Sequence, residues 1–235
     1  MNSITELRNK YIGEDIYILA SGPSLNHIDN SFFDNKLTIG VNRVGLFIKC
    51  DYIVTKDSVG FDIITKDSLG TPKILLAKYE TGDPGRKLNN LKGPNIYMFD
   101  HFAKPNQQPQ IHKITKDVPT NSDKLVVSFS TITTAIHAAA YMGAKNIVIS
   151  GHDCGTLDGE SAIRGYHKNK TPQQGSEEGY IAWLSVIEQN TIDVKNKLKE
   201  VYGCNIYSIN PFINFNLEKH TYTSSKNIIT YSIKK

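Results

Sequence analysis

Short apolar runs punctuate this chain, and each stops abruptly at polar residues. Asp15-Ile16-Tyr17-Ile18-Leu19-Ala20 breaks at Ser21-Gly22-Pro23-Ser24, Leu37-Thr38-Ile39-Gly40-Val41 ends in Asn42-Arg43, and Tyr52-Ile53-Val54-Thr55 ends in Lys56-Asp57. Lys73 to Ala77, Asn95 to Phe99, Asn146 to Ser150 and Asn205 to Ser208 repeat the pattern. Aliphatic and β-branched runs of this length read as strands buried on both faces, the condition of a parallel sheet. A brief helix is expected from about Asn26, after the first break.

Two segments carry helical periodicity instead. Ile132, Ala135, Ile136, Ala139 and Ala140 make one apolar face, with Ser128 or Ser130 able to cap the start and Gly143 suited to the end. Tyr180, Leu184, Ile187, Thr191, Val194, Leu198 and Val201 predict a second helix, Tyr180 to Tyr202, stopped by Gly203; Pro211 would close the strand that follows. Helices feeding buried strands predict an α/β fold: a Rossmann-like, mostly parallel sheet with helices on both faces and a lid-like loop region.

The 235 residues suit one domain over 1–213, with excursions at about 100–120 and 154–179 and a tail over 214–235 holding one edge strand, Asn227 to Ile233. The stretch Lys104 to Pro119 reads as a lid or a plain loop. Thr55-Lys56-Asp57-Ser58-Val59-Gly60 recurs as Thr65-Lys66-Asp67-Ser68-Leu69-Gly70, which is coincidence or two similar helix starts.

Composition narrows the function classes. With 39% hydrophobic and 21% charged residues the chain is globular rather than disordered. The net charge of +4 is mild and its lysines and arginines are spread, so nucleic acid is not the expected partner; small anionic ligands are. Cys50, Cys154 and Cys204 lack zinc or disulfide spacing and read as reduced thiols. Glu6, Arg8, Lys10, Glu14 and Asp15 interrupt any signal-peptide core, and no apolar run reaches membrane-spanning length. The expectation is a cytoplasmic protein; peripheral attachment to a membrane and self-association are left open.

In an open parallel sheet the loops at the strands' carboxyl ends share one crevice, where ligands bind. Ser21 to Ser24, Asn42-Arg43, Lys56-Asp57 and Gly151 to Gly155 are such loops, so Ser21, Asn42, Asp57, Thr131 and Gly151 are expected along one edge. Gly22 would let backbone approach a ligand, Ser21 and Ser24 offer hydroxyls, and the helix start beyond them has N–H groups that favour phosphate. The same four residues also suit a tight turn. Neither a Walker lysine nor a three-glycine dinucleotide pattern follows the first strand, and Pro23 stands where an esterase elbow needs its nucleophile.

These residues carry a resemblance. Ser21-Gly22-Pro23-Ser24-Leu25, Val41-Asn42-Arg43, Ser130-Thr131, the run Gly143 to Asp153 and Gly165-Tyr166-His167-Lys168-Asn169 occur in an order that resembles the bacterial lipooligosaccharide sialyltransferases. They also look like the wider family of motility accessory factors and archaeal 6-hydroxymethylpterin diphosphokinases. The match spans about residues 14 to 212. The sialyltransferase resemblance implies a cytidine monophosphate sugar as co-substrate, with no tightly bound cofactor. It puts Gly22, Pro23 and Ser24 near the nucleotide, Asn42 on it, Thr131 at the donor and His167 as general base. That family's two phosphate-steadying tyrosines have no counterparts, because Cys154-Gly155 and Ser161 stand there; Tyr166 is the nearby phenol.

Taken on its own, His167 lies in a polar loop, and an imidazole with a pKa near ~6.5 takes a proton from an acceptor hydroxyl at neutral pH. A solvated loop histidine is the plain alternative, and Lys168 and Lys170 beside it would also make a basic surface. Asp153 could hold a ribose, orient His167, serve as the base or simply form a turn. His137 in the alanine-rich helix reads as packed rather than as a ligand. No metal site is expected, since His152, Asp153 and Asp158 lack a ligand spacing. The leading reading is a glycosyltransferase working on a nucleotide sugar and a glycan or small hydroxyl acceptor in surface-glycan synthesis. The runner-up is a diphosphokinase using ATP and magnesium, with Asp57 and Asp153 as its carboxylates. A nucleotide-binding domain without catalysis is the third.

Overall fold

The computed structural model describes residues 2–80, 83–91, 93, 95–102, 118–127, 130–167, 177–209 and 221–222, with 83–86, 177–186 and 221–222 described as backbone. Along the chain run β1 (Asn2–Ser3), β2 (Asp15–Leu19), β3 (Leu37–Val41), β4 (Tyr52–Thr55), α1 (Ser58–Asp67), β5 (Lys73–Ala77), β6 (Tyr79–Glu80), β7 (Asp83–Lys87), β8 (Ile96–His101) and β9 (Lys124–Leu125). There follow α2 (Thr131–Tyr141), β10 (Asn146–Ser150), β11 (Thr156–Leu157), α3 (Glu177–Tyr202), β12 (Asn205–Ser208) and β13 (Thr221–Tyr222). Short 3-10 turns fill Pro23–His27, Asn30–Phe33 and Asn42–Leu46.

The main sheet has the order β1-β8-β5-β4-β3-β2-β10-β12, with β9 beside β8, and its pairings are parallel. From β2 the chain works outward through β3, β4, β5 and β8, then returns to lay β10 and β12 on the opposite side of β2. The order therefore reverses between β2 and β10, the place where open parallel sheets commonly bind their ligands.

Alternation within the strands divides the core in two. Ile16, Ile18, Ile39, Val54, Leu75, Phe99, Ile147 and Ile149 face α2 and α3, where they meet Ile132, Ala135, Ile136, Val194 and Leu198. Tyr17, Leu19, Ile53, Leu76, Met98 and Val148 face α1 and the 3-10 turns, through Phe61, Ile64, Leu25, Phe33 and Val44. All eleven residues of α2 are buried, which is why it is built of Ala, Thr and Ile instead of an amphipathic pattern. Its Ser130 cap accepts from the Ile132 N–H, and Gly143 takes φ +93° past its end.

The recurrent Thr-Lys-Asp-Ser segments have different fates. Asp57 caps α1, accepting from the Gly60 N–H, whereas Asp67 ends that helix and Ser68 follows it; the second copy is not a helix start. The second long helix begins at Glu177, earlier than its apolar period indicates. The three cysteines are free and buried. Residues 103–117 and 168–176 of the two excursions, Ser128, Pro211 and the strand expected at Asn227 to Ile233 lie outside the described residues. Among the described residues, no helix is long and apolar enough to cross a membrane.

Candidate active site

At the β2/β10 reversal two turns are welded together. The Ala20 N–H donates to Ser150 O at 2.9 Å and the Gly22 N–H to Gly151 O at 2.6 Å. Ser24 then closes on Asp153, its N–H reaching Oδ2 at 2.6 Å and its hydroxyl reaching Oδ1 at 2.7 Å. Glycine is needed at both centres. A Cβ on Gly22 would meet Gly151 O and the Asp153 carboxylate, and Gly151 sits at φ +69° with Ala20 O and Leu25 Cγ each 2.7 Å from where a Cβ would lie. Gly22 itself has φ −69°, so close approach, not a left-handed backbone, excludes a side chain there.

Asp153 is buried and both its oxygens are engaged. Burial pushes its carboxyl up to about 6, against the opposing effect of the Ser24 hydrogen bonds. Further along the turn the Leu25 N–H donates back to Gly22 O, and Pro23 has no N–H. The Gly22, Ser24 and Leu25 N–H groups are therefore used inside the turn.

One strand over, Asn42 takes φ +52°, a left-handed conformation that asparagine tolerates better than most residues. Its amide nitrogen donates to Thr131 Oγ1 at 3.5 Å, joining the end of β3 to the start of α2, while its Oδ1 is buried and has no hydrogen-bond partner. Beyond it, Lys56 is 5% exposed and burial lowers its amine to about 8, opposed by the neighbouring Asp57. His101, on β8, is held neutral at about 4 by burial first and by Lys56 second, and its Nε2 has no partner. Asp57 is engaged at the start of α1, with the Thr55 hydroxyl 3.4 Å from its Oδ2.

The segment after Asp153 folds back over these loops. Ile163 donates its N–H to Ser21 O and Arg164 to Asn26 Oδ1, both at 2.8 Å, and His27 lies 3.6 Å from Asp158. Tyr166 packs 6.2 Å from Phe47, and the Arg43 guanidinium sits 4.6 Å above the Tyr166 ring. His167 stands edge-on to Tyr166 at 5.5 Å, with Nε2 3.2 Å from the Ser161 hydroxyl. Lys168 and Asn169 lie outside the described residues.

The structure thus brings Ser21, Gly22, Pro23, Ser24, Gly151 and Asp153 into one double turn. Asn42 pairs with Thr131, and Tyr166 and His167 lie on the covering segment. Asn26, Arg43 and Ser161 join them: Arg43 sits in a strand-end loop visible in the sequence, while Asn26 and Ser161 matter through the contacts they make with Arg164 and His167. His152 faces away from this cluster towards α3. Its Nε2 is 2.9 Å from the Thr191 hydroxyl, and burial lowers it to about 4. His137 is fully buried, accepting from the Val126 N–H at 2.8 Å and touching the Tyr202 hydroxyl at 2.9 Å. Among the described residues, no group of three or more His, Cys, Asp or Glu side chains is placed to hold a metal ion.

Fold and site together define an α/β protein with a cluster of polar loops at the point where its parallel sheet reverses order. Among solved structures the chain is similar to a variant of the sialyltransferase CST-II in complex with CMP, at 16% identity and a TM-score of 0.48, over 84% of this chain and 82% of that one. No protein-family profile and no curated protein matches it.

Proposed function

We propose that this protein is a glycosyltransferase that moves a sugar from a cytidine monophosphate donor to a hydroxyl acceptor in surface-glycan synthesis. What supports this most is that pairings across distant parts of the chain fall on adjacent strand ends: Ser21–Ser24 against Gly151, Asn42 against Thr131, and His167 on the segment tied to Ser21. The motif order seen in the sequence falls on these same loops.

In this reading the nucleotide lies against the double turn, and the vacant Asn42 Oδ1 accepts from one of its N–H or O–H groups. The acceptor oxygen attacks the anomeric carbon as the bond to the phosphate oxygen breaks. The bond's electron pair leaves with the phosphate, and the acceptor proton passes to His167. Orientation and one base suffice, since the transition state needs no enzyme nucleophile. Asp153 serves by holding the turn, both of its oxygens being occupied by Ser24.

Calorimetry with CMP, UMP, AMP and ATP, with and without magnesium, tests the donor class. Metal-independent preference for CMP is expected; preference for ATP with magnesium would support the diphosphokinase reading instead. With a donor and acceptor in hand, His167→Ala should slow turnover by roughly 10²- to 10⁴-fold while CMP affinity holds, because a general base acts in the transition state. Full turnover in that variant removes His167 from the mechanism.

A further inference from the structure

We infer that Arg43 supplies the positive charge that receives the donor's phosphate, an inference that rests on the nucleotide-donor reading above. It starts from a deficit. Beyond Ser21 the turn offers an anion no backbone donor as far as Leu25, because the Gly22, Ser24 and Leu25 N–H groups donate to Gly151, Asp153 and Gly22, and Pro23 carries no N–H; none of these groups carries a positive charge. A phosphate lying against this turn must find its counter-charge on a neighbouring loop.

Arg43 is a half-buried cation on such a loop, whereas Arg164, on the segment tied to Ser21, is exposed. Arg43 follows Asn42 directly at the end of β3, the strand beside β2. Among the described residues its guanidinium forms no ion pair with a carboxylate. It lies instead over the Tyr166 ring, its Cζ 4.6 Å from the centroid, while Phe47 packs on the same ring. Stacking occupies the face of a guanidinium and leaves the N–H groups at its edge available, and that planar fork matches two phosphate oxygens. Lys56, the other buried cation on this edge, stands at the end of β4, one strand further from the turn.

The stack also fixes where that charge sits. Tyr166 carries Arg43 on its ring and has the His167 ring 5.5 Å away, so one side chain sets both the cation and the proposed base. As the bond from anomeric carbon to phosphate oxygen breaks, negative charge grows on the phosphate. A guanidinium already held in place stabilises it without rearranging. Tyr166 is then a positioning residue, acting through Arg43 and His167.

The test separates phosphate recognition from nucleoside recognition. Affinities for CMP and for cytidine are measured by calorimetry on wild type, Arg43→Ala, Arg43→Gln, Arg43→Lys and Tyr166→Leu. Arg43→Ala and Arg43→Gln should lose about tenfold or more in CMP affinity, the scale of a charge-assisted contact. Their cytidine affinity should be unchanged, which also reports that the loops are folded. Arg43→Lys should recover part of the loss, and Tyr166→Leu should show a partial loss confined to CMP. Wild-type preference for CMP over cytidine persisting in Arg43→Ala or Arg43→Gln overturns the role of Arg43 and leaves the nucleotide reading standing. Failure of the wild type to bind either ligand overturns that reading, and this one with it.

Discussion

Ser24 and Asp153, 129 residues apart in the chain, are joined by two short hydrogen bonds where the sheet reverses order. The pair locks the loop after the first core strand to the loop after its late-arriving neighbour. Replacing Asp153 by Ala should leave the Ser24 N–H and hydroxyl buried without acceptors and cost about 1 to 3 kcal/mol of stability. Urea denaturation measures it, and CMP affinity should fall with it.

Gly22→Ala tests the same junction from the other side. The backbone angles suit alanine, so any harm comes from the Cβ pressing on Gly151 O and the Asp153 carboxylate. A loss of about 1 to 3 kcal/mol is expected, as for other overpacked sites. Wild-type stability with unchanged CMP binding would show that the two turns separate freely.

Asn42 calls for two substitutions, because its backbone and its amide act separately. Asn42→Gly keeps the φ +52° conformation without strain and removes the amide; Asn42→Ala adds backbone strain. Asn42→Gly should bind CMP about 1 to 3 kcal/mol more weakly at near-native stability. Equal CMP affinity in Asn42→Gly and wild type would take Asn42 off the ligand.

The pH dependence of stability has opposing contributors. Burial holds the Asp153 carboxyl near 6 instead of 3.8, so the folded protein keeps this proton more tightly than the unfolded chain does. Its contribution is full below the ordinary value and is lost as pH rises through about 6. Burial puts His137 at about 3 and His152 at about 4, below their ordinary 6.5, so their contribution is full above 6.5 and declines as pH falls towards those folded values. Each proton changes stability by up to about 1.4 kcal/mol per pH unit. Urea midpoints at about pH 5, 6 and 7 should therefore fall more steeply with acid in Asp153→Asn than in wild type, and less steeply in His137→Phe. Parallel profiles in all three proteins would contradict these assignments.

The strands that position the site were legible because burial on both faces leaves an unbroken apolar run, as in Ile16 to Leu19 and Ile147 to Ile149. Two-residue strands such as β1, β9 and β11 carry no such signal, and α3 starts earlier than its apolar stripe. Candidate residues at strand ends could be named from the sequence. Which of them meet could not: Asn42 reaches Thr131 across 89 positions, and Ser161 earns its place only because the chain turns back to His167 six residues later. The cap that Asp57 makes by accepting from the Gly60 N–H is likewise a contact that its place after a strand does not announce.

The place of β2 in the sheet also governs how the molecule comes into being. A growing chain that has emerged only through β8 can pair six strands of the main sheet, with β2 as one bare border. Its outward N–H and C=O groups stay open until β10, 131 residues along, arrives in register from Asp15 against Asn146 to Leu19 against Ser150. The strand that shields this border also delivers Gly151 and Asp153 to Gly22 and Ser24. Closing the half-made sheet against wrong partners and assembling the loop cluster are thus one event late in synthesis.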